Sequence, residues 1–252
     1  MKRPALDQQE ISQRLGDSYW RVSVHDQVTS TQLLLRKSNP VPGAVIVAEY
    51  QSQGRGRLGR SFDSISGSGL LFSAYVRPSL EDSKWGLLPL LVGTTIAQVL
   101  NKLTNSNHYL TKWPNDVVAP EGKVCGVLCE YSDNGVLVGV GVNVTTEVAE
   151  LPVPTASSII LASGMELDRN ELLISLLAAL SVNMAAWEAG ADILTDYLLL
   201  SSTINQEVEV TLPGSRILRS EAIGISPDGG LILASGETVT VGDVLHVRNQ
   251  VK

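Results

Sequence analysis

Two apolar runs, residues 124–131 and 136–144, face each other across Asp133-Asn134-Gly135. That spacing predicts a β-hairpin, because Asn and Gly both accept the positive φ of a tight turn. More sheet is read on its N-terminal side. Residues 43–49, rich in Val, Ile and Ala, read as a buried strand, residues 70–76 as the next, and residues 109–113 as a short strand ending in a Pro-Asn-Asp turn. Residues 87–103 carry apolar side chains at helical spacing. A second long helix starts after Asp168, which precedes Glu171 as in a capping box, and Leu172, Leu173, Leu176, Leu177, Leu180, Met184 and Trp187 trace its apolar face. Past Asn205 the texture changes. Residues 207–212, 217–225, 231–234 and 238–248 read as short strands parted by Pro213-Gly214, Asp228-Gly229-Gly230 and Gly242-Asp243, the pattern of a small β-barrel. The expected organisation is a main domain over residues 1–203 and a small β-barrel domain over residues 204–252.

Composition excludes several classes. With 44% hydrophobic and 18% charged residues the 252-residue chain buries a full core and is not disordered. A formal net charge of -7 argues against a general nucleic-acid binder, although a local basic site stays open. Cys125 and Cys129 fit neither a zinc knuckle nor a disulfide framework and read as buried free thiols of a reducing cytosol. The first residues carry no signal peptide, and no uninterrupted apolar stretch is long enough for a bilayer. A soluble cytoplasmic protein with no membrane association is expected.

Residues 51–69 form a long polar, glycine-rich connection between two strands, and connections of that length are often functional. Its first part, Gln51-Ser52-Gln53-Gly54-Arg55-Gly56-Arg57-Leu58-Gly59-Arg60, alternates arginine with glycine. Glycine lets backbone approach a ligand, and arginine grips carboxylates and phosphates in bidentate fashion. The segment is either a lid for an anionic ligand or a solvated basic turn; it has neither Walker nor dinucleotide-binding spacing. Lys112-Trp113-Pro114-Asn115-Asp116 ends a strand in a turn that presents an amide and a carboxylate, suited to a nucleotide or to Mg²⁺ on Asp116, or is an ordinary Pro-Asn-Asp turn. Lys123 opens an apolar strand in which Gly126 suggests close approach of a ligand or another backbone; equally, such a lysine protects a strand edge. Asn143 closes another apolar strand and either caps a turn or lines a site. His25, His108 and His246 are scattered, and no nucleophile elbow or paired-carboxylate pattern appears. The candidate groups are cationic or neutral donors, which suits chemistry by positioning and charge neutralisation.

In order and spacing these segments resemble the biotin protein ligase family. The arginine-glycine segment resembles the family's signature loop, and Lys112 to Asp116 matches its second signature. Gly122-Lys123-Val124-Cys125-Gly126-Val127-Leu128-Cys129-Glu130 looks like its lysine-bearing strand, and Gly139-Val140-Gly141-Val142-Asn143-Val144 looks like its central strand. Ser30-Thr31 resembles the family's Ser-Thr-Asn start, with Gln32 in place of the asparagine; Phe62 stands near a frequent tryptophan, and Asn205 replaces a common glycine.

The resemblance implies an α+β fold, a mixed sheet flanked by helices like that of class II aminoacyl-tRNA synthetases, with a Src-homology-3-like C-terminal barrel. It implies that ATP activates biotin as biotinyl-5'-adenylate, which then acylates a lysine of a biotin carboxyl carrier protein or domain of an acyl-CoA or pyruvate carboxylase. Biotin would be held by Ser30, Thr31, Gln32, Gln51, Gly54, Arg55, Gly56, Arg57, Lys123 and Gly126, and ATP by Arg57, Arg60, Lys112, Asn115, Asp116 and Asn143. Lys123 and Arg57 would be catalytic, and Asp116 would meet Mg²⁺. The 29 residues before Ser30-Thr31 are fewer than a helix-turn-helix domain needs, so no DNA binding is expected. Lipoate ligases and octanoyltransferases share the implied fold but lack this loop. Monomer and homodimer both remain open.

Overall fold

The computed structural model describes residues 3–132 and 134–247. The elements run α1 (Gln8–Leu15), β1 (Arg21–Val28), α2 (Thr31–Lys37), β2 (Ala44–Gln51), β3 (Gly69–Val76), α3 (Leu88–Leu103), β4 (Leu110–Lys112), β5 (Asp116–Ala119), β6 (Gly122–Ser132), β7 (Gly135–Asn143), α4 (Ile159–Ser163), α5 (Arg169–Glu188) and α6 (Ile193–Leu200). Then follow β8 (Gln206–Thr211), β9 (Ile217–Ile225), β10 (Leu231–Leu233), β11 (Thr238–Val239) and β12 (Asp243–His246).

The main sheet has seven strands in the order β1-β2-β3-β7-β6-β5-β4. Only β1 and β2 are parallel; the other neighbours are antiparallel, so the sheet is mixed as expected. Side chains alternate across a strand, and the pairing register fixes which face each one joins. Val45, Val47, Phe72, Ala74, Val127, Val138, Val140 and Val142 enter the large core with α3 and α5. On the opposite face Ile46, Tyr75 and Leu137 pack with Leu35 of α2. Farther along that face lie Ser73, Gly139 and Gly141, with Gly126 paired to Gly141 and Leu128 to Gly139. One face is therefore filled with large aliphatic side chains, and the other is left shallow beside α2.

The second sheet is antiparallel, ordered β11-β10-β9-β8-β12. Among the described residues its ladder ends at β11 and β12 and does not close into a ring. The expected strand 238–248 splits into β11 and β12, because the backbone bends at Thr240 and Val241; Arg248 lies outside the described residues, as does Asp133 of the hairpin turn.

Three helices escaped the periodicity reading. α1 buries only Ile11 and starts because the Asp7 carboxylate accepts from the backbone N–H of Gln9 and Glu10. α4 is only five residues long, and α6 only eight, too short for a helical period to stand out. Two helical segments, Asp82–Leu103 and Arg169–Glu188, are long and apolar enough to cross a bilayer by length and composition. Both lie in the fold as core helices, α3 against α5, β4 and β6, and α5 against α1 and β3.

α5 begins with the Asp168 side chain accepting from Glu171 N at 2.9 Å. The next residue, Arg169, is 5% exposed and ties three distant segments together. It donates to Glu49 Oε2 at 2.6 Å, to Gly69 O at 3.2 Å and to Pro4 O at 2.6 Å. Glu49 and Gly69 flank the 51–69 connection, so one buried cation clamps both of its ends. Removing one member of a buried ion pair leaves the other uncompensated. Arg169→Ala is expected to lower stability by about 3–5 kcal/mol, measured as a shift of the urea midpoint; an unchanged midpoint would exclude the clamp as a main support.

Candidate active site

On the shallow face of the sheet lies a cleft of about 420 Å³. Its back wall is the start of α2 and the end of β2. Gln51 Oε1 accepts from Thr31 N at 2.7 Å and from the Thr31 hydroxyl at 3.0 Å, and that hydroxyl also bonds Ser73 Oγ at 2.8 Å. The oxygen end of Gln51 is thereby used, and its Nε2 remains as a donor. Ser30 stands at the N-cap of α2 without capping it, 2% exposed, which leaves its hydroxyl for the cleft. The floor is Gly126, Gly139 and Gly141. A Cβ at Gly139 would overlap Gln32 Oε1, and one at Gly141 would come within 2.6 Å of the Phe62 ring.

The roof is the arginine-glycine segment, folded as a compact hairpin. Phe62 N donates to Gly54 O at 3.0 Å, Gly56 N to Arg60 O at 2.7 Å, and Arg55 bridges Ser61. A Cβ at Gly54 would overlap the Phe62 carbonyl, so glycine is required where the two arms cross. At the tip Leu58 has φ 54° and Gly59 φ 75°, and the turn directs Arg57 inward.

The far end is cationic. Lys123 Nζ lies 2.7 Å from Asp116 Oδ1, a charge-to-charge approach without hydrogen-bond alignment. Arg60 pairs with Asp243 of β12. Arg57 donates to Asn115 Oδ1 at 3.1 Å and to Gly242 O at 3.3 Å. Burial pushes the Arg57 guanidinium below its usual range, partly offset by Asp243 and Asp116. Burial likewise lowers Lys112, opposed by Asp116 and reinforced by neighbouring Lys123. The turn that presents Asn115 and Asp116 is anchored from below. Trp113, 2% exposed, donates its backbone N–H to Thr203 Oγ1 at 3.1 Å and its indole N–H to Gly229 O at 3.0 Å. Asn115 Nδ2 donates to Val127 O at 2.5 Å.

The cleft brings together Ser30, Thr31, Gln32, Gln51, Arg55, Gly56, Arg57, Arg60, Lys112, Asn115, Asp116, Lys123 and Gly126. It does not include Gly54, whose part is the crossing of the hairpin arms, or Asn143, whose Nδ2 donates to Ser157 O at 2.9 Å and ties the end of β7 to the following segment. That long-range tie is neither a turn cap nor a contact with the cleft. Sequence reasoning missed Ser73, Thr211, Asp243, Val244 and Leu245 as lining residues and gave Phe62, Gly139 and Gly141 no role. The alternating glycines of β7 carried a signal, since two glycines one residue apart on a strand share a face; the contribution of β12 carried none. Among the described residues no group of three His, Cys, Asp or Glu side chains is placed to hold a metal ion.

A model of the biotin/lipoate A/B protein ligase family matches residues 23–147, and one of the biotin protein ligase C-terminal domain matches residues 203–247. The biotin–[acetyl-CoA-carboxylase] ligase of Mycobacterium tuberculosis is 34% identical over 98% of this chain and 97% of its own length. The chain belongs to the biotin protein ligase family. Biotin protein ligase from Aquifex aeolicus, solved in complex with biotin and ATP, superposes with a TM-score of 0.79 at 28% identity, covering 91% of this chain and 99% of that one. The bifunctional ligase/repressor of Escherichia coli is 30% identical over 81% of this chain but only 66% of its own length.

This biotin protein ligase family member therefore places two lysines, Lys112 and Lys123, in one cleft, and burial loosens the hold of Lys112 on its proton. A lysine with a folded-state pKa below its ordinary value of about 10.4 loses its charge at lower pH than its neighbours. Carbon-13 NMR of labelled lysines is expected to show Lys112 titrating below the ordinary lysine range, the assignment made with Lys112→Arg. A Lys112 midpoint at or above that range would contradict the burial seen here.

Proposed function

We propose that this chain is an ATP-dependent biotin protein ligase that forms biotinyl-5'-adenylate and passes the biotinyl group to one lysine of a biotin carboxyl carrier protein or domain. The observation that carries this reading is the division of one cleft into two ends. Ser30, Thr31, Gln32 and Gln51 offer neutral hydrogen-bonding groups at one end, while Arg57, Arg60, Lys112 and Lys123 gather cations at the other. A ligand with a neutral polar head and a carboxylate tail spans such a cleft, with its carboxylate delivered to the end where a triphosphate binds. The Aquifex aeolicus relative was solved with biotin and ATP, and the Mycobacterium tuberculosis relative is named for an acetyl-CoA carboxylase.

In the first half-reaction a biotin carboxylate oxygen attacks the α-phosphorus of ATP, the P–O bond to the β-phosphate breaks, and pyrophosphate leaves. The two reactants are anions, and repulsion between them is a large part of the barrier. Lys123 exchanges its Asp116 partner for the carboxylate and α-phosphate, while Arg57 and Lys112, already partly desolvated, meet phosphate oxygens. In the second half-reaction an unprotonated carrier lysine attacks the carbonyl carbon of the mixed anhydride, an amide forms, and AMP leaves. The arginine hairpin covers the adenylate between the two steps and keeps water and stray amines away.

Mg²⁺ fits this site as an ion that arrives on ATP. It usually binds proteins through one or two carboxylates plus substrate phosphates, and Asp116 and Asp243 are the carboxylates lining the cationic end. The ion would neutralise phosphate charge there.

The catalytic unit is assigned to residues 1–203 and the accessory unit to 204–252, with Asp243, Val244 and Leu245 completing the nucleotide end. A cytoplasmic location, where ATP, biotin and reduced thiols coexist, belongs to the same reading, as does the absence of DNA and membrane partners.

The test is ATP–pyrophosphate exchange with biotin, lipoate and octanoate in parallel. Exchange with biotin alone is expected; lipoate or octanoate working as well would move the chain to another branch of its superfamily. Lys123→Ala is expected to lower biotin-dependent exchange at least about 10²-fold, the scale of removing one preorganised charge-stabilising donor. A folded variant at full rate would remove Lys123 from the chemistry. Arg57→Gly is expected to open the roof and free adenylate, so that serum albumin added with biotin and ATP becomes labelled on a streptavidin blot. Unlabelled albumin beside normal adenylate synthesis would show that Arg57 does not retain the intermediate.

A further inference from the structure

Glu130 lies on β6, two residues beyond Leu128 and on the same face, but outside the cleft itself. Its side chain is 25% exposed and accepts from three directions. Oε2 takes Gln32 Nε2 at 2.9 Å, Arg36 Nη2 at 3.0 Å and Arg55 Nη1 at 3.4 Å, and Oε1 lies 3.2 Å from Arg55 Nη2. Two of these partners line the cleft, Gln32 from α2 and Arg55 from the roof.

A carboxamide has two ends of nearly equal shape, one a donor and one an acceptor, whereas a carboxylate only accepts. Glu130 therefore fixes which end of Gln32 faces it. With Nε2 held by Glu130, Oε1 must point the other way, and it lies over Gly139 on the cleft floor, where a Cβ would overlap it. Gln32 is 3% exposed, so a reversed amide would leave an oxygen against a carboxylate with little water to relieve it. Gln51 is set the opposite way, its oxygen used by Thr31 and its Nε2 left as a donor. The neutral end of the cleft thus presents one amide oxygen and one amide nitrogen in fixed roles.

We propose that Glu130 is a positioning residue that sets this donor–acceptor polarity, holding Gln32 as an acceptor for an N–H of a cyclic urea and mooring the first roof arginine to the same carboxylate. The proposal rests on the biotin ligase reading and adds a specificity determinant that does not touch the ligand. Glutamine at position 130 would both donate and accept, so the Gln32 amide would be free to turn and Arg55 would lose its ion pair.

The experiment is steady-state ATP–pyrophosphate exchange by the full chain carrying Glu130→Gln, with biotin and ATP varied separately. The KM for biotin is expected to rise about fivefold to tenfold, the scale of one neutral hydrogen bond, with the KM for ATP and kcat within about twofold of the unaltered chain. In a Gln32→Leu background the same change should have a much smaller effect, because the amide it orients is gone. Gln32→Leu alone, with Glu130 in place, should raise the biotin KM to a similar extent, which tests the acceptor role even where Glu130→Gln folds poorly. An unchanged biotin KM in Gln32→Leu, an undiminished Glu130 effect in that background, or a loss confined to kcat each overturns the proposal. Absence of biotin-dependent exchange in the unaltered chain overturns the ligase reading and this one with it, whereas normal exchange with unchanged biotin KM in both variants overturns this one alone.

Discussion

The register between β6 and β7 sends Cys125, Val127, Val138, Val140 and Val142 to the core and Gly126, Gly139 and Gly141 to the other side. The core side has to be bulky to hold α3 and α5, and the cleft side has to be bare to leave depth beneath α2. A slip of one residue would exchange the two sets, burying glycines against helices and filling the cleft with valines. The shape of the site is thus a by-product of the same pairing that builds the core. The roof follows from it as well, since the Phe62 ring settles where Gly141 has no side chain.

Three of the cations that line the cleft are already paired with carboxylates. Lys123 is paired with Asp116, Arg60 with Asp243 and Arg55 with Glu130, each pair at least one-fifth exposed on both sides. Pairs of that kind contribute little to stability, in the range of about 0–1 kcal/mol. Their worth lies in being exchangeable: an incoming carboxylate or phosphate trades places with a protein carboxylate at small cost, and the cations are held in place throughout. Arg57 and Lys112 differ, because their nearest fixed contacts are neutral or more distant and burial already disfavours their charge. An anion relieves that penalty, so these two gain most from a bound phosphate.

Much of this was legible in the sequence where local pattern and long-range outcome coincide. Two apolar runs across Asp133-Asn134-Gly135 revealed the β6–β7 hairpin, and the capping carboxylate of Asp168 revealed the start of α5. Thirteen of the fifteen named residues line one cleft because strand ends and the turn after a strand project to one side of a sheet. Gly54 and Asn143 share motifs with residues that line the cleft; in space Gly54 serves the crossing of two backbone arms and Asn143 bonds Ser157. α1 was illegible because a helix that buries one residue has no apolar face to detect. Asp243 was illegible for a different reason: nothing near residue 243 refers to Arg60, and the two meet only when separate sheets dock.

That docking has a mechanical side. The turn 228–229 of the C-terminal sheet meets the main body at two tight points: Trp113 reaches the Gly229 carbonyl, and a Cβ at Gly86 would overlap the carbonyl of Asp228. Trp113 is also the root of the turn bearing Asn115 and Asp116. The C-terminal sheet therefore grips the cationic end of the cleft twice, from below through the tryptophan and from above through Gly242 and Asp243. A tilt of that sheet by a few degrees would act like the arm of a pair of pliers, shifting both jaws together while leaving Thr31 and Gln32 of α2 and Gln51 of β2 standing still.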